Sequence, residues 1–122
     1  MGSIGSTGTA SASSPLAFEV TADQVEPGRS GLLFYGQAPL NAPFQGGTKC
    51  VASPVRRTPV QVSAGAGTCG GSFALDFNAW IQSGKDPGLT PGVTVDSQYW
   101  YRDPLSASTT GLSDALQFVV GP

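Results

Sequence analysis

Two neighbouring segments decide the fold of this chain: Gln98-Tyr99-Trp100-Tyr101-Arg102-Asp103-Pro104 and Gly111-Leu112-Ser113-Asp114-Ala115-Leu116-Gln117-Phe118. Three adjacent aromatic residues favour an extended strand, and the Arg-Asp-Pro sequence after them is typical of the start of a turn. A Ser- and Thr-rich stretch separates the two segments. The pattern therefore predicts two β-strands joined by a turn.

The composition extends this prediction to the whole chain. Its 122 residues include 17 glycines and 10 prolines, both of which weaken helix interiors, and only 11% of the residues are charged. Short apolar or alternating runs bounded by turn residues occur at 16–21, 31–36, 59–62, 72–80 and 115–120. We therefore expect an all-β fold, an antiparallel β-sandwich (jelly-roll or Ig-like) of seven or eight short strands.

The domain organisation follows from where apolar residues are scarce. Residues 1–14 carry no charge and few large apolar side chains, which predicts a flexible linker or an expression remnant. Residues 15–122 are expected to form a single β-sandwich domain, a usual size for one domain. No apolar run approaches the roughly 20 residues of a membrane-spanning helix, so no membrane span is expected.

The two cysteines, Cys50 and Cys69, lie beside glycine-rich turns. A disulfide between them would stabilise the fold by about 3 kcal/mol, and the turn-rich, weakly charged composition is typical of exported proteins. The alternative is a pair of free, buried thiols. A tetrahedral zinc site is excluded because the chain has no histidine and too few cysteines.

The residue types present in the chain argue against several classes of function. Without histidine, neither a Ser-His-Asp nor a Cys-His nucleophile system can form, and we expect no enzymatic activity. The net charge is −2, and Arg56-Arg57 is the only adjacent basic pair. We therefore expect no nucleic-acid partner.

The segment 72–80 suggests a ligand surface. Alternation places Phe73, Leu75 and Phe77 on the core face of a strand. The opposite face would then carry a row of Asp76, Asn78 and Trp80. An aromatic ring beside an acid and an amide suits a sugar, which needs an apolar platform and hydrogen-bonding partners. The alternative is that this face packs under the second sheet or a loop.

A second candidate surface lies on the aromatic strand. Alternation separates Trp100 from Tyr99 and Tyr101, and we expect the larger indole to be in the core with both tyrosines partly exposed. The tyrosines would then be available to a ligand or a partner protein, although ordinary cross-strand packing is an alternative. Arg102 and Asp103 are expected to serve the turn.

Two further expectations concern cations and self-association. Calcium could be held by Asp103, Asp114 or the Asp76 and Asn78 pair, but no regular calcium-binding loop is present, so we assign no metal residues and no cofactor. The amino-terminal arm with residues 16–21 could pair with its own sheet or with the edge of a second copy, which leaves self-association through an edge strand open.

The two segments quoted first, together with residues 31–36, resemble a recurrent β-rich module near the carboxy-terminal ends of large secreted or surface bacterial proteins. The likeness covers about residues 29–122. It implies an exported module, secreted or on the cell surface, and it supplies no catalytic residues. We therefore expect a non-catalytic extracellular binding or adhesion module with a polysaccharide or a surface protein as partner, glycan being the leading ligand class. The alternative is a structural or self-assembling module of a surface protein.

Overall fold

The computed structural model of the protein describes residues 2–44, 47–52, 54–65, 67, 70–103 and 110–122. Its elements in chain order are β1 (Ser3–Thr7), β2 (Glu19–Val25), β3 (Ser30–Gly36), β4 (Pro39–Phe44), β5 (Gly47–Val51), β6 (Arg56–Arg57), β7 (Gln61–Val62), β8 (Ala64–Gly65), β9 (Gly71–Asp76), α1 (Phe77–Gln82), β10 (Thr94–Arg102) and β11 (Thr110–Val119).

The strands form two main antiparallel sheets and a separate hairpin. The first sheet has the order β1-β2-β9-β8, and the second has the order β11-β10-β3-β6, with β7 also pairing with β3. Among the described residues, β4 and β5 pair with each other and with no other strand. The predicted all-β, antiparallel β-sandwich is thus confirmed. The described residues form eleven strands, where seven or eight were expected. The three additional strands, β6, β7 and β8, are each only two residues long.

The core between the two main sheets is built on aromatic rings. Phe73 of β9 stacks on Tyr99 of β10, with ring centroids 5.5 Å apart, and lies 6.2 Å from the ring of Tyr101. The Tyr99 hydroxyl donates a hydrogen bond of 2.6 Å to the Val20 carbonyl on the facing sheet. Each ring therefore joins the sheets through apolar contact, and Tyr99 also joins them through a hydrogen bond.

The prediction of which aromatic side chains of β10 face the core was wrong. Tyr99 and Tyr101 are buried, with 0% and 4% of their surfaces exposed, and Trp100 is only partly buried on the opposite face of β10. Size alone does not decide which aromatic residue enters a core, since a buried phenol costs little when its hydroxyl has a partner. The Arg102 guanidinium lies 4.9 Å from the centre of the Trp100 ring.

The hairpin of β4 and β5 covers part of that opposite face. Gln98 of β10 is fully buried beneath it, and its side-chain amide donates to the Thr48 carbonyl (2.8 Å) and to the Ser113 carbonyl (2.6 Å). Its side-chain oxygen accepts from the Cys50 N–H at 3.0 Å. A single side chain therefore connects the hairpin with β10 and β11.

The cysteine prediction does not agree with the structure. Cys50 has a free thiol, which donates to the Thr48 carbonyl at 3.6 Å, so the predicted Cys50–Cys69 disulfide is not formed. Cys69 itself lies outside the described residues. The main-chain N–H of Cys50 donates to the side-chain oxygen of Gln98 on β10 at 3.0 Å.

The prediction of a flexible linker at residues 1–14 was also wrong for the described residues. Strand β1 pairs along its length with β2, and the Gly2 N–H donates to the Tyr101 hydroxyl at 2.8 Å. The Ile4 N–H donates to an oxygen of Asp114 at 2.6 Å. Main-chain hydrogen bonds, which do not require large side chains, order this segment.

The segment 72–80 is not a single strand. The extended backbone ends at Asp76, whose carboxylate accepts hydrogen bonds from the Ala79 N–H at 3.3 Å and the Phe18 N–H at 3.2 Å. Aspartate is a favoured residue before a helix because it satisfies an unpaired N–H of the first turn. The helix α1 follows over six residues. No helix in the described part of the chain has the length and apolarity needed to span a membrane.

We predict that Gly31→Ala destabilises the fold by roughly 1–3 kcal/mol, as overpacking typically does. A Cβ at this position would lie 2.6 Å from the Phe73 ring and 2.9 Å from the Trp100 carbonyl. The free energy of unfolding in urea measures the effect. Gly5→Ala is the control, because its Cβ would meet only the Thr21 hydroxyl at 3.5 Å. Equal stability of the two variants would contradict close packing at Gly31.

Candidate functional site

The five residues predicted to bind a ligand do not form one surface. Asp76 caps helix α1, Asn78 is buried within that helix, and Tyr99 and Tyr101 lie in the core between the sheets. Trp80 is partly buried at the edge of the core. The expected row of Asp76, Asn78 and Trp80 is absent because the backbone turns into a helix after Asp76.

Asn78 holds the amino-terminal segment in place. Its side-chain oxygen accepts from the Ser11 N–H at 2.7 Å, and its amide group donates to the Thr9 carbonyl at 3.0 Å and the Leu16 carbonyl at 3.1 Å. Ser11 in turn donates through its hydroxyl to the Pro122 carbonyl. Asn78 therefore has a structural role, connecting α1 to the amino-terminal segment, which in turn contacts Pro122.

Trp80 belongs to a polar cluster that the sequence did not indicate as a site. Its indole N–H donates to the Tyr35 hydroxyl at 2.9 Å, and the Tyr35 hydroxyl donates to Oδ2 of Asp86 at 2.6 Å. Arg56 approaches the same oxygen, with its Nε at 3.9 Å. The other oxygen of Asp86 accepts from the Gly88 N–H at 3.0 Å. Four side chains from β3, β6, α1 and the loop after α1 thus meet.

A pocket of about 410 Å³ opens beside this cluster. Its polar lining comes from Tyr35, Gln37, Arg56 and Asp86, and the other described lining residues are small or apolar. The volume lies within the range of about 300–1,000 Å³ that is usual for small-molecule sites. We refer to it as the Asp86 pocket.

The two charged groups of the Asp86 pocket differ in exposure. The Asp86 side chain is 8% exposed, whereas the Arg56 side chain is 62% exposed. Burial and, secondly, the hydrogen bond to Asp86 raise the pKa of Tyr35 well above its usual range. Tyr35 is therefore a neutral donor that fixes the orientation of the carboxylate. The Lys85 ammonium lies 5.6 Å from the centre of the Trp80 ring.

The acidic residues considered for calcium have other positions. Asp114 accepts from the Ile4 N–H, and Asp76 caps α1. Among the residues that the structure describes, no three His, Cys, Asp or Glu side chains come together in a way that could hold a metal ion.

No family model, curated protein or solved structure matches this chain. Two features of the sequence belong to the Asp86 pocket: the adjacent pair Arg56-Arg57 and the turn sequence Asp86-Pro87-Gly88. Neither indicated that the two would meet, because they belong to separate elements.

We predict that Asn78→Ala lowers the free energy of unfolding by roughly 1–3 kcal/mol, because it leaves buried main-chain groups without partners. Urea unfolding measures the loss, and hydrogen exchange of the Ser11 amide should accelerate. Gln82→Ala on the same helix is the control, since its exposed side chain makes one hydrogen bond, to the Ser14 carbonyl. Unchanged exchange at Ser11 would refute the role assigned to Asn78.

We also predict that stability falls as the pH rises above about 10, where tyrosine ionises in an unfolded chain. Burial raises the pKa of both Tyr35 and Tyr99, so the folded protein keeps protons that the unfolded chain has lost. Each tyrosine should contribute a decline approaching about 1.4 kcal/mol per pH unit. Urea unfolding across this pH range measures the slope.

Tyr35→Phe provides the comparison for this pH dependence. The variant should lose the part of the slope that Tyr35 contributes and keep the part from Tyr99. The comparison uses slopes, so a constant loss of stability in the variant does not affect it. An identical slope in the variant would mean that Tyr35 ionises normally in the folded protein.

Proposed function

We propose that this chain is a non-catalytic extracellular module, secreted or on the cell surface, that binds a glycan. The observation that carries the proposal is the Asp86 pocket, in which a buried carboxylate, an exposed guanidinium and the Gln37 side chain line an open cavity. A glycan needs several hydrogen-bonding partners and apolar surface within one shallow site. This pocket offers both.

The apolar part of the Asp86 pocket suits the carbon face of a sugar ring. Ala38, Ala52, Pro54 and Pro87 line it, and none of them carries a charge. Trp80 does not line the pocket but donates a hydrogen bond to Tyr35, which does. We therefore expect the fluorescence of Trp80 to change when a ligand binds. Trp80 would not be the flat platform under the sugar that the sequence predicts.

A structural module of a surface protein is the second candidate. It is favoured by the roles of Asp76, Asn78, Tyr99 and Tyr101, each of which stabilises the fold through its own contacts. In that case the partner would be another surface protein, and the pocket would remain without a ligand.

Tryptophan fluorescence separates the two candidates. The chain has two tryptophans, so Trp100→Phe leaves Trp80 as the only tryptophan, close to the Asp86 pocket. We expect a saturable change in emission when this variant is titrated with at least one member of a panel of neutral and acidic polysaccharides. Arg56→Ala should abolish the change, because it removes the exposed guanidinium of the pocket.

Arg57→Ala is the matched control for Arg56→Ala. Arg57 is the next residue of the same two-residue strand and does not line the pocket. It should therefore leave the response intact. Circular dichroism should first establish that Trp100→Phe is folded. The absence of a response to every polysaccharide would reject glycan binding and favour the structural module, and equal responses in the two arginine variants would reject this pocket.

A further inference from the structure

The Asp86 carboxylate retains capacity to accept further hydrogen bonds. Its Oδ2 accepts from the Tyr35 hydroxyl, and its Oδ1 accepts from the Gly88 N–H. Each carboxylate oxygen can accept two hydrogen bonds. These donors hold both oxygens in place. Each oxygen can therefore accept one further hydrogen bond, from a ligand in the pocket that Asp86 lines.

Arg56 provides the complementary donor. The distance of 3.9 Å between its Nε and Oδ2 of Asp86 exceeds hydrogen-bonding range, so these two atoms are close but not bonded to each other. A guanidinium has five N–H donors in a planar group. Because the Arg56 side chain is largely exposed, these donors can turn toward a ligand without breaking a buried contact.

Tyr35 positions the carboxylate and is not itself available to the ligand. Its hydroxyl proton is given to Asp86, and its oxygen accepts the indole N–H of Trp80. The ligand-facing groups of the cluster are thus one acceptor, Asp86, and one donor, Arg56, side by side.

From this arrangement we infer that the Asp86 pocket recognises two adjacent hydroxyls of a neutral sugar ring, an inference that rests on the proposed function. One hydroxyl donates to Asp86, and its neighbour accepts from Arg56. Each hydroxyl can act as donor or acceptor, so a vicinal diol matches a carboxylate beside a guanidinium. The charges of Asp86 and Arg56 are opposite, so the pair suits a neutral ligand. An acidic sugar would bring a second negative charge next to the buried carboxylate of Asp86, which is unfavourable.

The test uses simple methyl glycosides as probes. Methyl α-D-mannopyranoside, methyl β-D-galactopyranoside and methyl α-D-glucopyranoside are compared with analogues deoxygenated at the third ring carbon, which retain no adjacent pair of ring hydroxyls. A methyl glucuronide represents acidic sugars. The chemical shift of the Trp80 indole N–H reports binding, because that group is bonded to Tyr35 in the pocket wall.

We expect at least one neutral glycoside to bind roughly tenfold or more tightly than its deoxygenated analogue, the effect of losing hydrogen bonds to charged groups. Arg56→Ala and Asp86→Asn should each weaken the neutral glycoside by a similar factor, and Arg57→Ala should not. Should Asp86→Asn fail to fold, Arg56→Ala decides, because the Arg56 side chain is exposed.

The possible failures can be told apart. If no polysaccharide gives a response in the fluorescence titration, the proposed function itself fails. If polysaccharides bind through Arg56 but the deoxygenated glycosides bind as well as the complete ones, only the inference about the diol is overturned. Tighter binding of the glucuronide than of the neutral glycosides, or no binding of any methyl glycoside, would likewise overturn it.

Discussion

Burial of β10 on both of its faces is the constraint on which the rest of the structure depends. A strand in this position needs partners for polar side chains on each side, since an unpaired polar group in the interior is costly. On the side of the first sheet, Tyr99 reaches the Val20 carbonyl. On the side of the hairpin, Gln98 reaches Thr48, Cys50 and Ser113. The two layers around β10 are thus each held by a specific hydrogen bond as well as by apolar contact.

The fold class could be predicted from the sequence because it depends on composition and on the spacing of apolar residues. The failures arose where a single side chain changes the backbone or the face that is buried. Asp76 ends a strand whose alternation continues for four more residues, because its carboxylate satisfies the first turn of a helix. The orientation of β10 could not be predicted, because it depends on partners on other strands.

The candidate site could be predicted only in fragments. Tyr35, Arg56 and Asp86 come from three separate parts of the chain, and only the pairing of β3 with β6 and the turn after α1 bring them together. The sequence indicates Trp80 only as part of a row with Asp76 and Asn78, and those two residues have structural roles. A pattern within one strand cannot indicate such a cluster, because its members share no periodicity.

An isolated β-bridge joins Ser11 to Gly121 and has a mechanical consequence. It is parallel, and it includes hydrogen bonds from the Gly121 N–H to the Ala10 carbonyl and from the Ala12 N–H to the Gly121 carbonyl, each 3.0 Å long. Tension that draws the backbone before Ala10 away from the backbone after Gly121 acts along these parallel segments. Both hydrogen bonds then carry the load together in shear instead of opening one after the other.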